Sequence, residues 1–178
     1  MPPTLLDDAV LFATRAHHGQ RRRYTDMPYI GHCLEVMELV GSVPHTEAML
    51  AAAVLHDTVE DTHVTEKELL HAFGDEITRM VILLSDLEEG NRATRKRLAR
   101  IRLAGAPGPV QTIKLADLIS NTRPIVQHDK NFAVTYLREI RELMPFLTKG
   151  DPDLYGRAVT SLSKGEAAIS EFLGRPFP

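Results

Sequence analysis

The sequence predicts an all-α protein. Apolar residues recur at helical spacing in nearly every segment, and alternating runs of Val, Ile, Thr and aromatic residues are missing. The 178 residues, of which 43% are hydrophobic, suffice for one sizeable core and are too few for two ordinary domains. We therefore expect residues 1–178 to form a single compact helical domain.

Helical periodicity and helix-end signals place nine helices along the chain. Thr4 is a suitable N-cap for the first helix, and the third is apolar on all sides, which is typical of a helix in the middle of a bundle. Thr65 and Glu68 have the spacing of a capping box that starts the fourth helix, and Gly74 should end it. The helices are expected over about residues 5–17, 29–40, 46–56, 65–73, 75–87, 94–103, 109–123, 132–147 and 154–173.

Charge and cysteine content narrow the classes of partner. The 21 basic and 24 acidic residues leave a formal charge of −3, which gives no bulk attraction to nucleic acid or to an anionic membrane. Cys33 is the only cysteine, which excludes an intramolecular disulfide and fits a reducing compartment. A secretory signal and a transmembrane stretch are both missing. We expect a cytoplasmic protein that binds neither nucleic acid nor membrane, and its oligomeric state is not indicated.

The first candidate site is the stretch VLHDTVEDT, residues 54–62, which follows the apolar third helix. On one continuous helix its His56, Asp57, Glu60 and Asp61 would fall within an arc of about 140° and face one place. Carboxylates that point into a bundle need compensation, because an unpaired buried charge costs several kcal/mol. A metal ion would provide it. The alternative is a solvated helix end with a capping aspartate, and the preceding apolar helix favours the site.

Two further residues could complete a metal site. His32 lies in the apolar amphipathic segment PYIGHCLEVMEL, where the alternative role is that of a hydrogen-bonded core histidine. Asp117 lies in QTIKLADLISNTR, with Asn121 one turn further along the same face. Lys114 could neutralise Asp117 without any metal. Two imidazoles and two carboxylates suit Mn²⁺, Fe²⁺, Co²⁺ and Zn²⁺ equally on ligand type.

The order of His32, His56, Asp57 and Asp117 resembles the ligand pattern of the HD superfamily of metal-dependent phosphohydrolases. The segments AHHGQRRRYTDMPYIGH, AAAVLHDTVEDT, FGDEI and IKLADLISNTR resemble the hydrolase domain of the Rel/SpoT alarmone enzymes, most closely the small stand-alone alarmone hydrolases. The resemblance implies an all-helical HD domain that binds Mn²⁺ and removes the 3′-pyrophosphate from (p)ppGpp, a small nucleotide.

The resemblance also implies roles for the two acids after the His-Asp pair. Glu60 and Asp61 match the acidic pair of the family, which implies that they orient and deprotonate the attacking water. Glu60 is in addition a candidate proton donor to the leaving group.

A third set of residues could bind the substrate, and Arg22, Arg23 and Asn121 among them match substrate-binding positions of the family. Arginine forks phosphate oxygens in a bidentate way, although a solvated basic surface is the alternative for the loop GQRRRYTDMP and the segment NRATRKRLARIR. Asn121 matches a substrate-contacting asparagine, and Tyr136 could stack on the nucleoside. The candidate substrate-binding residues are Arg22, Arg23, Arg92, Lys114, Asn121 and Tyr136.

Several positions depart from the family's usual sequence. Asp26, Met27 and Cys33 affect loop shape and not the metal ligands. Pro124 stands where many relatives carry a threonine near the nucleotide, which leaves recognition of base and ribose open. The alternative substrates are (p)ppApp and NADPH, and a catalytically silent alarmone sensor is the alternative from another functional class.

Overall fold

The computed structural model describes residues 3–178. Within this range the chain forms α1 Leu5–Ala16, α2 Ile30–Gly41, α3 Glu47–Leu55, α4 Thr58–Asp61, α5 Glu66–Leu84, α6 Arg92–Gly105, α7 Gly108–His128, α8 Lys130–Leu143, a 3₁₀ helix Met144–Phe146 and α9 Pro152–Leu173. The same residues contain no β-strand, only an isolated bridge between Arg21 and Pro28. The all-α prediction is confirmed.

Two helices organise the bundle. The apolar α3 packs against α1, α2 and α5, and residues 51–55 along it are fully buried, as expected for a helix that is apolar on all sides. Helix α7 packs against α9, α2 and α8 and contributes Val110, Ile113 and Leu115 to the same core. Since α2, α3 and α7 touch one another, functional side chains on these three helices can meet inside the bundle.

The predicted helix-end signals are confirmed at three positions. Thr4 caps α1 through a reciprocal capping box with Asp7, and Thr65 caps α5 through one with Glu68. Gly74 interrupts the helical geometry inside α5 with a φ of +76°, a conformation that glycine adopts without steric cost. The two predicted helices on either side of Gly74 are therefore two parts of α5 joined by a bend.

The third helix ends close to the predicted residue 56, so the four polar residues of the VLHDTVEDT stretch do not lie on one continuous helix. Helix α3 ends at Leu55, and α4 begins only at Thr58. Side chains compete with the backbone in this turn: Oγ1 of Thr58 donates to the carbonyl oxygen of Leu55 at 2.7 Å, and Nδ1 of His56 lies 2.7 Å from that of Ala53. The His-Asp pair therefore lies on a turn between two helices.

The predicted end of the seventh helix at residue 123 is also wrong, because α7 continues through Pro124 to His128. Proline lacks the N–H that would bond to the carbonyl oxygen of Ser120. In compensation, Nη2 of Arg22 lies 3.5 Å from that oxygen. Packing against neighbouring helices maintains α7 beyond the proline.

No helix in residues 3–178 has both the length and the apolar character needed to cross a membrane.

Candidate metal centre and active site

Four side chains from three parts of the fold converge at one point. Helix α2 supplies His32, the turn between α3 and α4 supplies His56 and Asp57, and α7 supplies Asp117. The Nε2 atom of His32 lies 3.4 Å from Oδ2 of Asp57 and 3.3 Å from Oδ1 of Asp117. The Nε2 atom of His56 lies 3.1 Å from the same oxygen of Asp57 and 3.8 Å from that of Asp117.

The two imidazoles present their Nε2 atoms to this point. Both atoms are buried, and neither has a hydrogen-bond partner within the described part of the chain. For His56 the backbone explains this arrangement: Nδ1 faces the carbonyl oxygen of Ala53, which can only accept, so Nδ1 carries the proton. Nε2 is then the nitrogen whose lone pair a cation would bind in place of a proton.

The donor set fits a divalent metal ion. Ligand atoms of His32, His56 and Asp57 lie within 4.8 Å of one another, and Asp117 adds a second carboxylate. Nitrogen and oxygen donors in this ratio are those of a Zn²⁺, Mn²⁺ or Fe²⁺ site. The structure brings these four side chains together, and their role as metal ligands stays a prediction.

The electrostatics of the cluster favour positive charge between the carboxylates. Burial opposes charging of His56, but the neighbouring Asp57 and Asp117 outweigh it and raise the pKa of His56 to about 10. Burial likewise opposes ionisation of Asp117, but Lys114, at 2.8 Å from Oδ2, and both histidines hold the pKa of Asp117 well below its ordinary value. A group of carboxylates that stabilises imidazolium in this way also stabilises a metal cation.

The two acids on α4 lie beside this cluster. Oε2 of Glu60 accepts a hydrogen bond from the backbone N–H of Asp86 at 2.7 Å, and Oδ2 of Asp61 accepts one from the hydroxyl of Tyr29 at 2.9 Å. Burial removes water from the carboxyl groups of Glu60 and Asp61 and raises the pKa of each above its ordinary value. A raised pKa makes each carboxylate a stronger proton acceptor than an ordinary one.

Tyr29 is a site residue that sequence reasoning missed. Its hydroxyl also lies 2.7 Å from Oδ2 of Asp57, so one phenol spans the candidate metal ligand and the acid Asp61. The sequence signal was its position in the PYIGH segment, three residues before His32. Burial, followed by the charges of Asp57 and Asp61, raises the pKa of Tyr29, which therefore remains a neutral donor.

A cavity of about 450 Å³ opens beside the cluster. Its walls carry carboxylates, cationic side chains and aromatic rings, a composition suited to binding a phosphorylated nucleotide. The acidic lining residues are Asp57, Glu60, Asp61, Asp86, Asp117 and Glu139. The cationic and aromatic lining residues are Arg92, Lys96, Arg100, Lys114, Tyr29, Phe132 and Tyr136.

The structure divides the predicted substrate-binding residues between two places. Arg92, Lys114, Asn121 and Tyr136 line the large cavity. Arg22 and Arg23 instead line a cleft of about 120 Å³, which Asn121, Tyr29 and Ile125 share with the cavity. Arg22 and Arg23 would therefore contact a ligand that extends from the large cavity into this cleft.

The cations from α6 are paired with acids that sequence reasoning did not include. Arg92 forms a two-point ion pair with Glu139, and Nζ of Lys96 lies 2.6 Å from Oδ2 of Asp86. Arg100 pairs in the same way with Glu142. In the sequence these acidic partners appear as ordinary acids on amphipathic helices. Such acids are too common for sequence reasoning to identify an ion pair from them.

Comparison with known proteins agrees with this site. A family profile described as HD domain matches residues 9–143, a range that contains all four residues of the cluster. The chain belongs to the HD domain family. The sequence-based resemblance is thus confirmed at the family level, and the HD domain accounts for about three quarters of the chain.

Relatives of this HD domain protein include a pyrophosphokinase and a pyrophosphohydrolase. It is 34% identical over 138 residues to the GTP pyrophosphokinase rsh of Brucella melitensis, which covers 73% of this chain and 18% of that protein. It is 35% identical over 125 residues to the guanosine-3′,5′-bis(diphosphate) 3′-pyrophosphohydrolase MESH1 of Xenopus tropicalis, which covers 68% of this chain and 69% of the relative. The chain therefore spans about a fifth of the Brucella protein and two thirds of the Xenopus one.

A solved structure shares the fold of this HD domain. It is described as a metazoan ortholog of SpoT that hydrolyzes ppGpp and plays a role in starvation responses. The superposition has a TM-score of 0.84 with 24% sequence identity and covers 92% of this chain and 97% of that one. Most of the bundle thus has a counterpart in that structure.

Proposed function

We propose that this HD domain protein is a metal-dependent (p)ppGpp 3′-pyrophosphohydrolase that releases pyrophosphate and GDP or GTP. The observation that carries the proposal is the convergence of His32, His56, Asp57 and Asp117. They lie beside a cavity whose walls also carry several cationic side chains. The names of its alarmone-hydrolysing relatives support the choice of substrate. We place the activity in alarmone degradation during the stringent response, in the cytoplasm, carried out by a single domain.

The proposed metal ligands are His32, His56, Asp57 and Asp117, with Mn²⁺ as the proposed ion. A divalent cation bound there would act as a Lewis acid, which lowers the pKa of water and offsets negative charge on the phosphate. Mn²⁺ is chosen on the family resemblance, because the donor set alone also accommodates other divalent metals.

Glu60 and Asp61 are the proposed proton-transfer groups. Hydrolysis adds water to phosphorus, breaks the bond from phosphorus to the ribose 3′-oxygen and returns a proton to that oxygen. Asp61, with its raised pKa and its hydrogen bond from Tyr29, would orient the water and take its proton. Glu60, whose pKa burial also raises, would assist there and donate a proton to the 3′-oxygen.

The substrate would lie along the cavity with its phosphates among the cations. Lys114 and Arg92 are proposed to bind phosphate oxygens, Asn121 to hydrogen-bond the nucleotide and Tyr136 to stack on the nucleoside. Arg22 and Arg23 are proposed to contact the part of the nucleotide that enters the smaller cleft.

The direct test is to incubate the purified protein with ppGpp and Mn²⁺ and to identify the products by mass spectrometry. The expected result is GDP and pyrophosphate in equal amounts, and none from D57A, which lacks a proposed metal ligand. Release of single phosphates only, or no turnover, would contradict the proposal. Binding of ppGpp without hydrolysis in the wild type would favour the catalytically silent sensor.

Pro124 is the reason to test a second group of substrates. Pro124 lines the smaller cleft with Arg22, Arg23 and Tyr24, and it offers no side-chain hydrogen bond to a base or ribose. Weak discrimination of the base would admit (p)ppApp and NADPH. Equal turnover of ppGpp and ppApp would assign the protein to that broader class, whereas a strong preference for ppGpp would restrict it to guanine alarmones.

A further inference from the structure

A chain of polar contacts begins at Nδ1 of His32, on the side of the imidazole away from the Nε2 atom that faces the candidate metal centre. Oγ of Ser120, which is 3% exposed, lies 2.9 Å from Nδ1. The same oxygen lies 2.7 Å from Oε2 of Glu35, which stands near the surface on α2, the helix of His32. The contacts therefore form a chain from Glu35 through Ser120 to His32.

The number of protons in this chain determines its direction. A carboxylate accepts hydrogen bonds and donates none, so the short contact between Ser120 and Glu35 requires the hydroxyl proton of Ser120 to point to Glu35. The hydroxyl then has no proton left for His32. The 2.9 Å contact is a hydrogen bond only if Nδ1 of His32 carries the proton and donates it to Oγ.

The opposite arrangement is less favourable. If the hydroxyl of Ser120 donated to Nδ1, two unprotonated oxygens would face each other at 2.7 Å, one of them on the charged Glu35. Among residues 3–178, the other donor near Nδ1 is the guanidinium of Arg22, whose Nη2 lies 3.3 Å away. That contact is longer than the one to Ser120, and it does not relieve the oxygen–oxygen repulsion.

Arg22 contacts both Glu35 and Ser120 from the outer side of this chain of contacts. Its Nη1 lies 3.2 Å from Oε2 of Glu35, and its Nη2 lies 3.3 Å from Oγ of Ser120. Because a guanidinium group only donates hydrogen bonds, Arg22 holds the carboxylate of Glu35 in place as an acceptor. The carbonyl oxygen of Ser120, which Pro124 leaves without a helical partner, adds a further acceptor for Arg22 at 3.5 Å.

We infer that Ser120 and Glu35 are positioning residues that hold the proton of His32 on Nδ1 and leave the lone pair of Nε2 for the cation. The inference rests on the proposed function in one respect, that His32 is a metal ligand. The second histidine differs: the backbone carbonyl of Ala53 orients His56 and no substitution removes it, whereas His32 depends on two replaceable side chains.

The test uses zinc-loaded, ¹⁵N-labelled protein, because Zn²⁺ is diamagnetic and its uptake can be measured without turnover. Long-range ¹H–¹⁵N spectra report which nitrogen of His32 carries the proton and how fast that proton exchanges. In the wild type we expect a protonated Nδ1 with slow exchange. In S120A and E35A, exchange should become at least about tenfold faster, and zinc affinity should fall by about 10- to 100-fold in S120A, as for other groups that orient a metal ligand.

Matched controls separate this role from general effects on folding. E38A removes an exposed glutamate one turn further along α2, and T78V removes a buried hydroxyl that bonds only the carbonyl of Gly74. Both should keep the wild-type His32 signal and zinc affinity. Since Glu35 is close to the surface, E35A tests the inference even where S120A fails to fold.

Two contrary outcomes are distinguishable. Normal zinc binding by the wild type, with unchanged Nδ1 exchange and affinity in S120A and E35A, would overturn the inference and leave the proposed function in place. Absence of any divalent-metal binding by the wild type would overturn the proposed function and this inference together.

Discussion

Arg92 and Glu139 form a two-point ion pair on the wall of the large cavity, with Nε at 2.6 Å from Oε1 and Nη2 at 2.7 Å from Oε2. The pair joins α6 to α8, and the guanidinium also lies over the ring of Phe132 at 5.0 Å. The two planar groups match in the way that arginine matches a phosphate. Glu139 therefore occupies the donor face of Arg92 that a substrate phosphate would need.

This relationship predicts opposite effects of two substitutions on KM. E139Q should lower KM for ppGpp because Arg92 becomes available to phosphate. R92A should raise KM by about tenfold, because one charge-assisted contact with phosphate is lost. Stability should change by less than about 1 kcal/mol, as for a partly exposed ion pair. Steady-state kinetics would show both effects, with E166Q, which breaks the Arg141 pair between α8 and α9, as the control. A higher KM in E139Q would show that the pair supports binding instead.

Lys114 and Asp117 form a largely buried ion pair near the cluster, with side chains 18% and 9% exposed. K114M should lower the free energy of unfolding of the metal-free protein by about 3 kcal/mol, because it leaves Asp117 without its nearest counter-charge. Added Mn²⁺ should restore part of this loss. Urea unfolding with a chelator and then with metal would measure both changes. The exposed control K164M should stay within about 0.5 kcal/mol of the wild type.

Glu60 should be required for turnover and not for metal binding. E60Q keeps the shape of the side chain but removes the proton-transfer group, so kcat should fall by about 10²- to 10⁴-fold. Metal content should equal that of the wild type. E38Q, an exposed position on α2, provides the matched control and should retain full activity. A normal kcat in E60Q would assign proton transfer to another group.

Asp86 should make part of the stability depend on pH. Burial opposes its ionisation, but Lys114, Lys96 and Arg102 outweigh burial and lower the pKa of Asp86 below its ordinary value. A carboxyl group with a lowered pKa in the folded state stabilises the fold above its unfolded pKa of about 3.8, and this contribution is lost as the pH falls through the folded value. Unfolding free energies at about pH 6 and pH 3 should therefore differ less in D86N than in the wild type. Equal differences would contradict this assignment.

Local signals in the sequence indicated parts of the candidate metal site, and the resemblance to the HD superfamily joined them into one set of four residues. A histidine and an aspartate directly after an all-apolar helix, and Asp117 amid apolar neighbours, each mark a charge that the fold must compensate. The structure brings both together with His32. The capping boxes at Thr4 and Thr65 were predictable for the same reason, since each lies within four consecutive residues.

Features that depend on distant contacts were not predictable. Glu139 lies 47 residues from Arg92, and Ser120 lies 88 residues from His32, so neither pairing has a local signal. Helix α7 continues through Pro124 because packing outweighs the lost backbone hydrogen bond, which local propensity cannot anticipate. The break at the His-Asp pair depends on side-chain bonds to the carbonyls of Ala53 and Leu55, which helical periodicity does not reveal.

The most direct test is the stoichiometry of Mn²⁺ binding to the metal-depleted protein, measured by calorimetry and by elemental analysis of the same samples. The wild type should bind one ion, H32A, H56A and D117A should lose most of the affinity, and H45A, a histidine outside the cluster, should bind like the wild type. Failure of the wild type to bind a divalent ion, or full binding by D117A and H32A, would contradict the account.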